Sequence, residues 1–206
     1  MKRFIAKHSP LFILAGLCLM MAVISSDFRS ISNLQSVAYR TAVVGIIAVG
    51  ELLVILTAGI DLSVGSIAAV SGVVACLSMK LWSFPMPLAV LTGAFVGALC
   101  GTCNGVLVAK GRIPPFIATL GMMMAARGAT LILSGGVPVY GQAPSFAWLG
   151  GTRAWWVPVI ITLAITLVFA VVLNWTRFGR ALYAIGGNLK AARLSGIGVD
   201  RVRIGA

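Results

Sequence analysis

Leu56-Thr-Ala-Gly-Ile-Asp-Leu-Ser-Val-Gly65 places an aspartate between two long apolar runs, in a chain with only four acidic residues. Gly59 stands two positions before Asp61 and Ser63 two positions after it. Gly59 can take a positive φ and end a helix. Asp61 and Ser63 are both good N-cap residues, and a carboxylate suits the positive end of the following helix. The stretch therefore reads as a helix stop and a capped helix start, with Gly59 releasing one helix and Asp61 beginning the next. Two settings fit: a tight turn at a membrane face, or a break inside the membrane whose freed backbone lines a wet cavity.

Glu51 lies ten positions earlier, near the middle of an apolar run. An ionisable group there is costly and marks a pathway or a buried pair. Arg127 is the other charge near the middle of such a run, so a Glu51–Arg127 pair is one expectation. A protonated Glu51 hydrogen-bonded between helices is the other. Asn104 can hydrogen-bond across a helix contact or face a cavity. Cys18, Cys76, Cys100 and Cys103 all fall in apolar runs. Cys100-Gly-Thr-Cys103 has C-x-x-C spacing, but a structural zinc takes four Cys or His ligands and no second pair accompanies it. These cysteines read as small packing residues, with no metal.

The elements that position these residues follow from composition. Of 206 residues, 60% are hydrophobic and 10% charged. A soluble domain carries about 25% charged residues, so the solvent for this chain is lipid. Lipid leaves helices or closed barrels. The apolar runs are about 14 to 24 residues long and do not alternate with period two, so helices are chosen. The net charge of +12 is the excess of Lys and Arg expected of cytoplasmic loops, and nucleic acid is not an expected partner.

Lys2, Arg3 and Lys7 precede the run Leu11–Ile24, which has the outline of a signal peptide but is read as an uncleaved first span. Residues 29–40 suit a short helix lying in the outer interface, in contact with membrane lipid. Further spans are expected at Thr41–Ile60, Leu62–Met79, Met86–Ala109, Ile113–Leu133 and Trp156–Leu173. Pro114 and Pro115 open the fifth span, where proline is tolerated. A polar Gly- and Pro-rich stretch, 134–153, ends near the interfacial residues Trp148, Trp155 and Trp156. The fold class is all-α, a polytopic membrane protein with about six spanning helices. Gly93, Gly97, Gly101 and Gly105 recur every four residues, forming one flat stripe for close helix packing.

Four ordered stretches resemble the transmembrane permease subunits of bacterial ABC importers for monosaccharides, the ribose, xylose, arabinose and autoinducer-2 systems. They are Leu56 to Gly65, Asn104-Gly105, Pro114-Pro-Phe-Ile-Ala-Thr-Leu-Gly121, and Phe178-Gly-Arg180 running through Ala184-Ile-Gly-Gly-Asn188 to Ala191-Ala-Arg-Leu-Ser-Gly-Ile197. The resemblance spans nearly the whole chain. It implies a single permease domain over 1–206, in the bacterial inner membrane, with no catalysis of its own and no cofactor. That family continues with further spans, so the resemblance also implies a chain incomplete at its C-terminus. The implied partners are a second permease subunit, identical or different, a cytoplasmic ATP-binding subunit and a periplasmic sugar-binding protein. No G-x-x-x-x-G-K-[ST] occurs here, in keeping with ATP bound on a separate subunit.

The resemblance assigns 174–206 as a cytoplasmic coupling segment. Its own chemistry agrees with a short helix: Asn188 is a cap candidate, Ala191, Ala192 and Leu194 favour helix, and Gly196 can stop it. Gly187 through Gly196, with Arg193 and Ser195 among them, would then seat in an ATPase groove. The same basic residues could instead anchor anionic lipid. The translocation pathway or helix break is assigned to Glu51, Gly59, Asp61, Ser63 and Asn104. A second function class is an ion- or proton-coupled secondary transporter, or a membrane assembly protein, with Glu51 and Asp61 as its relay.

With the N-terminus inside and six spans, the inner segments hold eleven of the sixteen Lys and Arg, and the outer ones hold Arg29, Arg40, Lys80 and Arg153. Both Lys2 and Arg203 are thus expected in the cytoplasm. Reporter fusions after Gly141 and after Ala206 check this; a periplasmic signal from the second would refute it.

Overall fold

The computed structural model describes residues 2–140, 146–150 and 154–206. Arg153 and the parts of the expected outer stretch at 141–145 and 151–153 lie outside the described residues. Ten α-helices and one 3-10 turn are described, and no strand is present among the described residues. Helix α1 covers Lys2–Ile24, α2 Ile31–Leu56, α3 Val64–Trp82, α4 Met86–Ala109 and α5 Pro115–Ser134. The four-residue α6, Ala147–Gly150, precedes α7, Trp156–Trp175. Three shorter helices close the chain: α8 Arg177–Gly187, α9 Leu189–Leu194 and α10 Val199–Gly205.

Five helices, α2, α3, α4, α5 and α7, are long and apolar enough to cross a membrane. The sixth expected span is the apolar part of α1, Ser9–Ile24, which is shorter. Leu11, Ile13, Leu19 and Val23 on it are all exposed, as lipid-facing residues would be.

Two boundaries differ from the sequence expectation, each for a local reason. The interfacial helix expected at 29–40 and the span from Thr41 are one 26-residue helix, α2. The Ser30 hydroxyl caps it by accepting the Asn33 N–H at 3.1 Å. No Gly or Pro lies between Ser30 and Gly45, and extending a helix costs less than nucleating another. At ~1.5 Å per residue α2 is about 39 Å long against a hydrocarbon core of about 30 Å, so its excess turns reach the interface. At its other end α2 stops at Leu56, four residues short of Ile60.

The helices pack as two groups. α2 lies against α7 and α8, while α3 packs against both α4 and α5, and α10 packs against α4. Although consecutive, α2 and α3 barely touch. Thr162 of α7 donates to the Ala42 carbonyl of α2 at 2.8 Å, a polar tie inside an apolar seam.

The glycine stripe on α4 divides. A Cβ at Gly93 would stand 2.8 Å from the Ser71 carbonyl oxygen of α3, and one at Gly97 would stand 3.2 Å from the Ser71 hydroxyl. One at Gly105 would stand 2.7 Å from the Ile204 Cα of α10. At Gly101 a Cβ meets nothing within 4 Å, so the expected close contact is absent there. Helix contact is thus made at both ends of the stripe, and Gly101 is left beside a cavity. Gly93→Ala should destabilise the protein by about 1–3 kcal/mol, the range for overpacking. Gly101→Ala should be neutral or stabilising by up to ~1 kcal/mol through helix propensity. Thermal unfolding of the two variants in one detergent checks this; equal melting shifts would refute the division.

Candidate functional site

Seven residues, 57–63, separate α2 from α3. Helix α2 ends in a Schellman arrangement. The Ala58 N–H donates to the Ile55 carbonyl at 2.9 Å, and the Gly59 N–H to the Val54 carbonyl at 3.1 Å. The residue in left-handed conformation is Ala58, with φ 58°, and not Gly59 as expected. An L-residue there costs about 1–2 kcal/mol. Gly59 serves a different need: it is buried, and a Cβ on it would stand 2.9 Å from Val54 Cγ1 and 3.2 Å from the Val54 carbonyl oxygen. The glycine gives the reversed chain room to pass over the last turn of α2.

Asp61 does not begin α3. Ser63 is the N-cap, and α3 starts at Val64. Asp61 forms an Asx turn, its Oδ1 accepting the Ser63 N–H at 2.7 Å and the Ser63 hydroxyl at 2.5 Å. The Ser63 hydroxyl therefore points back at Asp61 and makes no cap bond to α3.

Helices from both groups answer the freed backbone. The Glu51 Oε1 of α2 accepts the Asp61 N–H at 3.3 Å. Thr119 of α5 donates to the Ile60 carbonyl at 3.2 Å. The Asn104 Nδ2 of α4 donates to the Ser63 Oγ at 2.9 Å. The carboxylate fixes every direction in this relay. Asp61 only accepts, so Ser63 donates to it, and the Ser63 oxygen must then accept from the Asn104 amide nitrogen. Ser63 is fully buried and Asn104 nearly so. The Asn104 Oδ1 and Glu51 Oε2 are buried without a hydrogen-bond partner.

Glu51 and Arg127 do not pair: among the described residues the one ion pair is Arg193–Asp200, at 3.7 Å and exposed. Of the open expectations for Asn104, both hold, since it bonds across to Ser63 and also lines a cavity. That cavity is about 400 Å³, walled by Thr57, Ile60, Asp61, Thr102, Asn104 and Thr119 among others and lined also by residues 203–206. Thr119 and Ala58 were not singled out from the sequence. Thr119 lies within the Pro114–Gly121 stretch, where a lone hydroxyl between Ala118 and Leu120 was the available signal.

In the C-terminal segment 174–206, Asn188 caps α9 by accepting the Ala191 N–H at 3.0 Å, and Gly196 follows its end at φ 80°. Ala192 is buried against Ile185 and Val199. Ala191, Arg193, Leu194 and Ser195 are exposed, Leu194 by 89%.

Removing the Ser63 hydroxyl leaves two groups, the Asn104 amide and one Asp61 acceptor site, without their partner. Ser63→Ala should therefore cost about 1–3 kcal/mol. Asp61→Asn keeps an acceptor oxygen and should cost less. The relative melting temperatures of the two variants check the order; Ser63→Ala melting at or above Asp61→Asn would contradict the relay.

The sequence profile of the branched-chain amino acid transport system / permease component family matches residues 33–206. The chain is 40% identical over 209 residues to the ribose import permease protein RbsC of Escherichia coli K12, covering 98% of this chain and 65% of that protein. It is 38% identical over 203 residues to RbsC of Bacillus subtilis 168, covering 96% of this chain and 62% of that one. The fructose import permease protein FrcC of Rhizobium meliloti is 35% identical over 192 residues, covering 88% of this chain and 53% of that relative. The chain thus spans between about half and two thirds of the length of the curated relatives named here. No solved structure matches it.

Proposed function

We propose a transport function on one premise: the chain belongs to the branched-chain amino acid transport system / permease component family. It is a multi-pass protein of the bacterial inner membrane, and its role is to form part of the pathway of an ATP-driven monosaccharide importer. The printed names of the relatives support sugar as the cargo. The relay alternative has no support of this kind.

The printed names of the relatives carry the cargo class: the family's description names amino acids, whereas the relatives named above carry sugars. The cavity is lined by polar residues of every kind, among them Asp61, Arg203, Asn104, Thr57, Thr102 and Thr119. The Thr57 hydroxyl donates to the Val54 carbonyl at 2.8 Å, and Thr119 to the Ile60 and Pro115 carbonyls, so both keep acceptor capacity on the oxygen. A wall of donors and acceptors suits a neutral ligand rich in hydroxyls, which describes a monosaccharide.

The partners follow from the same reading: a second permease subunit across the exposed apolar faces, a cytoplasmic ATPase seated on 187–196, and a periplasmic sugar-binding protein. Exposed Leu194 and Arg193 are available to such a groove.

The test is reconstitution of the permease with the ATPase and binding protein encoded beside it, followed by ATP hydrolysis with ribose, fructose, allose and leucine. Stimulation by a sugar and not by leucine is expected. Stimulation by leucine alone would overturn the cargo class, and no stimulation by any of them would overturn the reading itself.

A further inference from the structure

We propose that Gly186 is a positioning residue which joins the cytoplasmic segment to the helix break, through backbone contact with the last residue of α2. The consequence for coupled transport rests on the function proposed above; the mechanical link itself does not.

α8 lies across the inner ends of two spans. Gly179 and Gly186 are seven residues apart, close to two turns, so they share one face of α8. A Cβ at Gly179 would overlap the Leu173 carbonyl oxygen of α7, and a Cβ at Gly186 would overlap the Leu56 carbonyl oxygen of α2. Both carbonyls belong to the last turn of a span, where no intrahelical N–H remains to cover them. Glycine lets the α8 backbone close over them, an approach suited to Cα–H···O contact. Between the two glycines, Leu182 is fully buried against Leu53 and Leu173, with Leu56 and Phe178 packed around that cluster. α8 is therefore fixed to α2 by a leucine core and a glycine contact together.

The other end of the link is α9. The Asn188 cap follows α8 without an intervening loop. Ile185 of α8, Ala192 of α9 and Val199 of α10 form one buried cluster. A force applied at α9 therefore reaches α8 through packed side chains. From α8 it reaches Leu56, whose next residue, Thr57, begins the break. Five amides in the break have assigned acceptors: Thr57, Ala58, Gly59, Asp61 and Ser63. Four of these, all but Ser63, are accepted by α2 itself, so they depend on where the end of α2 stands.

Hydrogen exchange read by mass spectrometry on the purified chain tests the link directly. Gly186→Ala should speed exchange across 57–63 by roughly threefold to thirtyfold, the range for a lost coupling contact. Gly187→Ala is the neighbouring control, since its Cβ meets nothing within 4 Å; it should exchange like the wild type. Wild-type protection of 57–63 in folded Gly186→Ala, or equal acceleration in Gly187→Ala, would overturn the link. If the Gly186 variant does not fold, Leu182→Val decides. It removes a methylene from the Leu53 contact without a clash, and unchanged protection there would also overturn the link. In the reconstituted assembly, sugar-stimulated hydrolysis should fall in Gly186→Ala while unstimulated hydrolysis persists. A wild-type assembly with no stimulation removes the transport reading, and the exchange result still decides the link.

Discussion

Lipid offers no hydrogen-bond partner to a peptide group, so each residue that leaves helical geometry within a membrane protein must find its partners in the protein. Residues 57–63 do leave it, and the surrounding side chains are arranged around that demand. The first three amides turn back onto α2. Past that point the partners are side chains, from α2, from the break itself and from α5. Glu51 takes the Asp61 amide, Asp61 takes the Ser63 amide, and Thr119 covers the Ile60 carbonyl. Three of the four spans nearest the break thus each supply one polar side chain, Glu51 from α2, Asn104 from α4 and Thr119 from α5. Polar residues costly elsewhere in these helices are there because the break is.

The same segment is the covalent seam between two packed groups. On one side α2, α7 and α8 share the Leu53–Leu173–Leu182 core. On the other, α3 and α4 approach closely at Gly93, and α10 seats against Gly105. Each group includes approaches to backbone that leave no room for a Cβ, at Gly179 and Gly186 on one side and at Gly93 and Gly105 on the other. Between α2 and α3 the contacts are hydrogen bonds through a non-helical segment. Close-packed groups resist internal deformation, so relative movement of the two groups concentrates in the seam. The polar relay and the cavity lie in that seam, which places the chemistry where displacement is largest.

Much of this was legible from residue types. The spans from α3 onward, the polar role of Asp61 and Ser63, and the Asn188-to-Gly196 helix follow from hydropathy runs and capping chemistry. What sequence could not supply is which atom meets which. Gly59 was read as the left-handed residue because glycine is the usual one. The strain in fact falls on Ala58, while Gly59 answers a steric need visible only once the chain has reversed. Glu51 and Asp61 are ten residues apart, and their bond depends on α2 ending at Leu56, four residues before apolarity itself ends. The separate helix at 29–40 failed for a related reason: amphipathic pattern marks an interface, but it does not mark a stop. Gly101 and Gly105 are identical by spacing, and only the position of α10 distinguishes them.

The relay also sets how strongly the cavity can hold anything. Asp61 Oδ1 already accepts two hydrogen bonds from Ser63, and Ser63 is occupied on both sides. Of the three threonine hydroxyls in the wall, those of Thr57 and Thr119 are turned to backbone carbonyls, and Thr102 and Arg203 are the other donors there. A ligand entering here finds part of the wall already paired, so it can replace some of its water and cannot replace all of it. For a storage or catalytic site that would be a defect, because affinity needs polar groups paired on both partners. For a pathway it is a requirement, since a cargo held too tightly does not leave. Polar groups that are satisfied among themselves keep the break folded with the cavity empty.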